Sequence, residues 1–422
     1  MLTDLYAPVI GGLEIHVRNL SAGLAARGHA VTVATLDQGN APARESDAQG
    51  VAVRRIRGTL QRAARLFSDS QRQFAPPFPD PEALLALRRI IAEVQPEIIH
   101  AHNWLIHSYL PLQRRNGPKI VLSLHDYGLV CARRDRIHRG ELCDGPGARK
   151  CLACATAHYG AARGVPTAIA TRIAGVNARA RVDQFLPVSA AVAQGNLLRD
   201  GRDPFRIVPN FIPDDVAAVR GDYDRYLERL PREPFLLFVG ALIPIKGIAV
   251  LLRAYSTLAD APPLVLIGAR WPTSPTTFPP GVTVLEDWPH GAVMAAWRRS
   301  LLGIAPSIWA DPCPTVALEA MAAGRPVVAS RIGGLSDIVA DGETGLLVPP
   351  GDADALAAAL RAVYSDPALA DRFGAAGEAR VRVRFVASAV IPQIEAIYRQ
   401  VLGAATTPEA ERVTALATGD RT

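Results

Sequence analysis

Residues 311–330 read DPCPTVALEAMAAGRPVVAS. Pro314 near its start and Gly324 at its end bracket a helix, with apolar residues at 316, 318 and 321. PVVAS behind it reads as a buried strand. Two acids, Asp311 and Glu319, stand with seven residues between them. The backbone N–H groups of Thr315, Val316 and Ala317 lie in the first turn, where a helix leaves its donors free and its dipole is positive, so they offer a seat for phosphate. Glu319, one turn further in, is placed to accept hydrogen bonds from ribose hydroxyls, as acids do in dinucleotide folds. Asp311, in the loop before the helix, would meet whatever lies beyond the phosphates. The alternative is plainer: an acid near a helix start is favoured by the dipole alone.

Outward from this stretch, short β-branched runs alternate with helical ones. HAVTVATL, VAVRRI, PEIIHAH, KIVLSLHD and QFLPVSAAV fall in the first half; FLLFVGAL, PLVLIGA, VTVLED, LLGIAPS, PVVAS and GLLVPP fall in the second. Such alternation predicts parallel sheets covered on both faces, and two series predict two doubly wound domains. We expect one domain over 1–205 and a second over 206–385, the joint lying at FRIVPNFIPDD. A closing helix over 386–403, crossing back to the first domain, and a frayed tail over 404–422 complete the chain. The opening MLTDLYAPVIGG leaves barely six residues for a first strand. Either that strand is short or the natural reading frame starts upstream.

The chain has 422 residues, of which 49% are apolar, enough for a sizeable core. No apolar run of about 18 residues suggests a membrane span, and no basic-then-apolar leader opens the chain. A cytoplasmic location is the default, with peripheral contact at the inner face of the plasma membrane left open. The net charge is +6, and only three of its cations are lysines: Lys119, Lys150 and Lys246. Basic residues gather at Arg54, Arg55, Arg57, Arg62, Arg65 and Arg72, and at Arg133, Arg134, Arg136, Arg139, Arg149 and Lys150. They read as solvated faces, or else as contacts for an acidic acceptor or anionic lipid. Nucleic acid is disfavoured, because no aromatics interleave for base stacking.

PSIWADPCPTVALEAMAAGRPVVASRIGGLSDIVADGETGLLVPPGD, residues 306–352, resembles the C-terminal domain of the family-four retaining glycosyltransferases. GGLEIHVRNLSAGLAARGHAVTVAT is similar to that family's N-terminal glycine loop and first helix. PVSAAV and VPNFI are similar to its domain joint. The resemblance covers nearly the whole chain. It implies the GT-B fold: two Rossmann-like α/β domains facing across a cleft. It also implies transfer from a nucleotide-diphosphate sugar (UDP- or GDP-linked) to a saccharide, lipid-linked or small-molecule acceptor, with no cofactor needed for catalysis.

Carried over residue by residue, the resemblance gives Glu319 the ribose and Asp311 the donor sugar. The family has Glu where Asp311 stands, so the reach is one methylene shorter. FVGALIPIKGIAVLL matches the diphosphate segment: Lys246 is its lysine, while Ala241 stands where an arginine is expected. Gly11 and Gly12 form the loop that approaches phosphate and sugar, with close backbone approach and positive φ as the reason for glycine. His125, ending an apolar strand, is the histidine at the donor sugar. His100 reads as a satisfied structural histidine, and His102 as a supporting or acceptor-side group. The rival readings are a degenerate, non-catalytic nucleotide-sugar binder or partner subunit, and a zinc-containing nucleic-acid binder.

Cys131, Cys143, Cys151 and Cys154 crowd into a polar loop over 131–154, the last two as C-x2-C. A structural zinc site fits four cysteines so placed; free thiols and disulfides are the alternatives. Cys313 reads as a packing residue.

Overall fold

All eleven β-branched runs become strands in the computed structural model, which describes residues 1–9, 11–39, 41–62, 72–218 and 221–403. The tail 404–422 and Arg65 lie outside the described residues. In chain order the strands are β1 (Leu2–Thr3), β2 (Thr32–Leu36), β3 (Arg44–Ser46), β4 (Ala52–Ile56), β5 (Ile98–Ala101), β6 (Lys119–Leu124), β7 (Ile137–His138), β8 (Glu141–Leu142) and β9 (Gln184–Pro187). They continue as β10 (Leu236–Val239), β11 (Leu264–Ile267), β12 (Val282–Leu285), β13 (Leu302–Ala305), β14 (Val327–Ser330) and β15 (Gly345–Val348).

The chain divides into two units, one of Met1–Pro209 with the chain from Val390 onward, the other of Asn210–Ala389. The sequence boundaries at 205 and 385 thus fall a few residues early. The first unit carries a seven-stranded sheet in the order β3-β4-β2-β1-β5-β6-β9. All its pairs are parallel except β3–β4. β1 is only two residues long, which is the short-strand alternative, yet Leu2 pairs with both Ala34 and Ala101. Strands β2 and β6 are buried along almost their whole length, as parallel strands covered on both faces must be.

The second unit is a six-stranded, wholly parallel sheet in the order β12-β11-β10-β13-β14-β15. Its core joins Leu236, Phe238, Leu264, Leu266, Leu302 and Ile304 of the sheet to Leu251, Leu356, Leu360 and Phe373 of the helices. Each sheet reverses its strand order beside its own first strand, between β1 and β5 and between β10 and β13. Loops leaving the C-terminal ends of strands diverge at such a switch point and leave a crevice for ligand.

The helix Ala387–Val401 is the last element among the described residues. From Val390 on it belongs to the first unit, burying Ile391, Ile394 and Ile397. Its Glu395 carboxylate takes Arg27 at 2.7 Å and His29 at 2.8 Å, and the Tyr398 hydroxyl lies 2.6 Å from His100 Nδ1.

Candidate active site

At the switch point of the second unit, two loops are stitched together. After β10 the chain turns through Pro244–Lys246 and enters the helix Ile248–Ser256 at Gly247. After β13 it runs through 306–314 into the helix Thr315–Ala322. The Ile308 amide donates to the Ile245 carbonyl at 3.0 Å. Gly247 has φ +75°, and a Cβ there would lie 1.8 Å from the Pro306 carbonyl oxygen. Only glycine lets the lysine loop pass this close. A third loop, after β14, clamps Asp311: the Gly334 amide donates to its carbonyl at 2.7 Å, and a Cβ on Gly333 would lie 2.4 Å from the same oxygen.

This stitching brings together two residues 65 apart in the sequence: the Lys246 ammonium is bonded to the buried Asp311 carboxylate. The same ammonium stands 5.7 Å from the centre of the Trp309 ring. Ala241 sits half-buried earlier in the lysine loop. The arginines that follow β11 and β14 do not replace the missing guanidinium freely, since Arg270 is paired with Glu286 and Arg331 with Asp341.

The helix Thr315–Ala322 starts at Pro314, with no side chain capping it. The expectation of three free amides needs correction. The Ala317 amide donates to the Pro314 carbonyl at 3.2 Å, because the first turn tightens to an i→i+3 bond. The amides of Thr315 and Val316 have no acceptor among the described residues. Glu319 is buried at 9% exposure, and its Oε1 lies 3.1 Å from His290 Nε2. That hydrogen bond to the carboxylate raises the His290 pKa above 6.5. His290 escaped the sequence reading, since a lone histidine opening a helix carries no signal of its own. Cys313 is buried, which pushes its thiol up to about 12 and leaves it a packing residue.

In the first unit, Gly11 caps the helix Gly12–Ala26 in extended conformation at φ −172°. The expected positive φ is therefore corrected: neither Gly11 nor Gly12 has it. A Cβ on Gly11 would fall 2.1 Å from Glu14 Oε2, so any side chain there would displace the Glu14 carboxylate, whereas Gly12 faces open room. Glu14 curls back over the loop and is held by Arg72 at 2.9 Å.

His125 leaves the end of β6 half-buried, beside a pocket lined by Asn103, Trp104, His107, Asp126 and Arg134. His102 Nδ1 lies 3.1 Å from His125 Nε2, and the rings of His16 and His125 meet edge to face at 5.0 Å. His102 therefore supports His125 directly. His100 is satisfied on both nitrogens, by Tyr398 and by Ser123 at 2.8 Å, as a structural histidine is. Burial holds His16, His100 and His102 well below 6.5, so all three are neutral at pH 7. In the pocket wall Arg134 pairs with Asp126 at 2.6 Å and lies over the rings of Phe74 and Trp104.

Among the described residues, the group with metal-ligand geometry is His16, His102 and His125, whose ligand atoms all lie within 4.8 Å of one another. The four loop cysteines are unpaired and do not form such a group. Each of three is engaged locally instead: Cys143 Sγ with the Gly145 carbonyl at 3.3 Å, Cys154 Sγ with the Ile137 carbonyl at 3.7 Å, and Cys151 Sγ with the Gly147 amide at 3.4 Å. The basic stretches are largely paired with nearby acids, among them Arg54 with Glu93, Arg55 with Glu45, Arg133 with Asp135 and Lys150 with Asp144.

Comparison with known proteins agrees with this layout. Residues 222–380 match the profile of Glycosyl transferases group 1, and residues 10–216 that of Glycosyltransferase Family 4. The chain is 31% identical over 251 residues to alpha-maltose-1-phosphate synthase of Mycobacterium tuberculosis, a match covering 51% of this chain and 64% of that protein. Its fold is similar to that of sucrose-phosphate synthase from Thermosynechococcus elongatus, at a TM-score of 0.71 and 24% identity over 96% of this chain and all (100%) of that one. It is also similar to Anabaena HepE, solved with UDP-glucose, at a TM-score of 0.61 and 16% identity over 94% and 99% of the two chains.

Proposed function

Because this chain belongs to the family-four glycosyltransferases of GT-B fold, we propose that it transfers a sugar from a nucleotide-diphosphate sugar to a saccharide, lipid-linked or small-molecule acceptor. The observation that carries this reading is the convergence, at the switch point of the second unit, of Lys246, the Thr315 and Val316 amides and the Glu319 carboxylate. Lys246 and the two amides meet the diphosphate, and their positive field grows in value as the leaving group takes up charge. In this reading they do so in place of a metal ion. Glu319 accepts the ribose hydroxyls, giving up His290, and Asp311 serves the sugar. On the first unit, His125 and the Gly11–Gly12 loop are the groups for the sugar. A uridine nucleotide is the first candidate, given the UDP-glucose bound by HepE; guanosine is the other.

The experiment is a thermal-shift panel of UDP, GDP, ADP and TDP, with Glu319→Ala alongside. One-site linkage gives about 2.7 kcal/mol of stabilisation at a hundredfold excess over Kd. One base should raise the Tm, and Glu319→Ala should abolish the rise. No shift with any of the four would sink the reading. A second reading, a nucleotide-sugar binder without turnover, is favoured by Ala241 and by the engagement of Lys246 with Asp311. A nucleotide that shifts the Tm while its sugar conjugates are neither hydrolysed nor transferred would select it.

A further inference from the structure

The helix Ala161–Arg181 is built inside out. An ordinary surface helix turns its large apolar residues to the core. Here the buried face is Gly164, Thr171, Ala174, Gly175 and Ala178. At its two glycines backbone passes close behind: a Cβ on Gly164 would lie 2.4 Å from the Ala155 carbonyl oxygen, and one on Gly175 2.3 Å from that of Leu129. The large apolar residues point the other way. Val165, Ile169, Ile173 and Val176 are 38%, 50%, 64% and 67% exposed. Their spacing of four, four and three places them in a single stripe along the outer face.

Charge says what this stripe meets. Residues 145–182 contain no aspartate or glutamate, yet they carry Arg149, Arg163, Arg172 and Arg181, besides Lys150 and Arg179, which pair with Asp144 and Asp203. Arg172 is exposed and stands within the stripe, and Arg149 and Arg181 are exposed as well. A second copy of the chain docked face to face on this helix would set Arg172 against its own mate across the two-fold axis. A protein partner with a purely apolar groove would leave the arginines without a counter-charge. An anionic bilayer answers both features: acyl chains take the valines and isoleucines, and headgroup phosphates take the arginines, whose long stems can reach up from an apolar surface.

We propose that the outer face of the helix Ala161–Arg181 docks on an anionic lipid bilayer, holding the protein at the membrane surface without spanning it. No described helix is long and apolar enough to cross a membrane, so the contact is interfacial. The inference rests on the exposure and charge of this helix alone and stands apart from the donor reading.

The test is flotation of the full chain with vesicles of phosphatidylcholine, with and without phosphatidylglycerol. Wild type should float with the phosphatidylglycerol vesicles at low salt, and high salt should weaken it. The double variant Ile173→Glu/Val176→Glu should lose about tenfold or more in partitioning, with its Tm and nucleotide shift unchanged. Ile169→Ser, a milder change on the same face, should lose less. Failure of wild type to float with anionic vesicles overturns the proposal, as does a double variant that floats equally well. Sedimentation velocity without lipid covers the rival occupant: a dimer that the double variant abolishes overturns the bilayer in favour of a second copy.

Discussion

Asp311 and Lys246 bond to each other, so under the proposed function a nucleotide diphosphate must compete with a carboxylate for the ammonium. Removing that competitor separates the two roles. Asp311→Asn should bind free UDP several-fold more tightly, as read by calorimetry, because the cation is released to the phosphates. Turnover of the sugar nucleotide should fall, since the sugar loses its acid. Weaker UDP binding in Asp311→Asn would mean that Asp311 positions Lys246 rather than competing for it. His290 gives a pH signature of the same kind. Its pKa is raised by Glu319, so the pair is fully formed below the ordinary value of 6.5 and is lost as pH rises through the raised one. If Glu319 takes the ribose as proposed, binding displaces His290 from it and releases a proton. Nucleotide affinity should therefore rise with pH through a single step lying above 6.5, and His290→Gln should flatten the profile. At this scale the sequence showed which residues bear charge, because the motif 306–352 is long and specific. It could not show that Lys246 and Asp311 bond to each other, or that His290 holds Glu319. The first contact joins two loops and the second two helices, which only the folded sheet brings side by side.

The loops around the site are fixed by backbone approach, and glycine is where that shows. Gly247→Ala adds a Cβ 1.8 Å from the Pro306 carbonyl oxygen at a φ of +75°, combining a clash with left-handed backbone strain. We expect a loss of about 3 kcal/mol, seen as a lower denaturation midpoint, with the nucleotide shift lost as the lysine loop moves off 306–314. A variant with unchanged stability would show that the two loops can part without cost. Elements were legible where burial leaves a hydrophobic trace. The eleven apolar runs became strands, and PTVALEAMAAG became the helix Thr315–Ala322. Strand β3 left no such trace, because Arg44, Glu45 and Ser46 lie at a sheet edge with no buried residue among them. The β7–β8 hairpin, two residues on each side, likewise buries none of its residues. The helix Pro367–Arg384 buries only Phe373, Gly374, Gly377 and Val381, too thin a stripe to read as a period.

The path of the chain makes the two units unequal. Residues 210–389 hold a complete six-stranded parallel sheet with its own core, entered and left once. The first unit needs the chain to return. Without the helix from Val390 on, Glu395 no longer meets Arg27 and His29, and His100 loses the Tyr398 hydroxyl. Ile391, Ile394 and Ile397 leave an apolar face bare, and Gly23, kept without a side chain so that Ile391 can sit against it, faces nothing. The closing helix and its return were expected, but not its partners, since a helical period states which face is buried and not against what. The units should therefore differ as fragments. Residues 210–389 expressed alone should melt in one cooperative transition followed by circular dichroism. Residues 1–209 alone should show a broad, weak one, because a buried histidine and an uncovered helix face cost more than a marginal domain can absorb. Fusing 390–403 through a flexible linker should restore the sharp transition to residues 1–209. A sharp melt of 1–209 without that helix would show that the first sheet is self-sufficient and that the returning helix is an addition to a fold already complete.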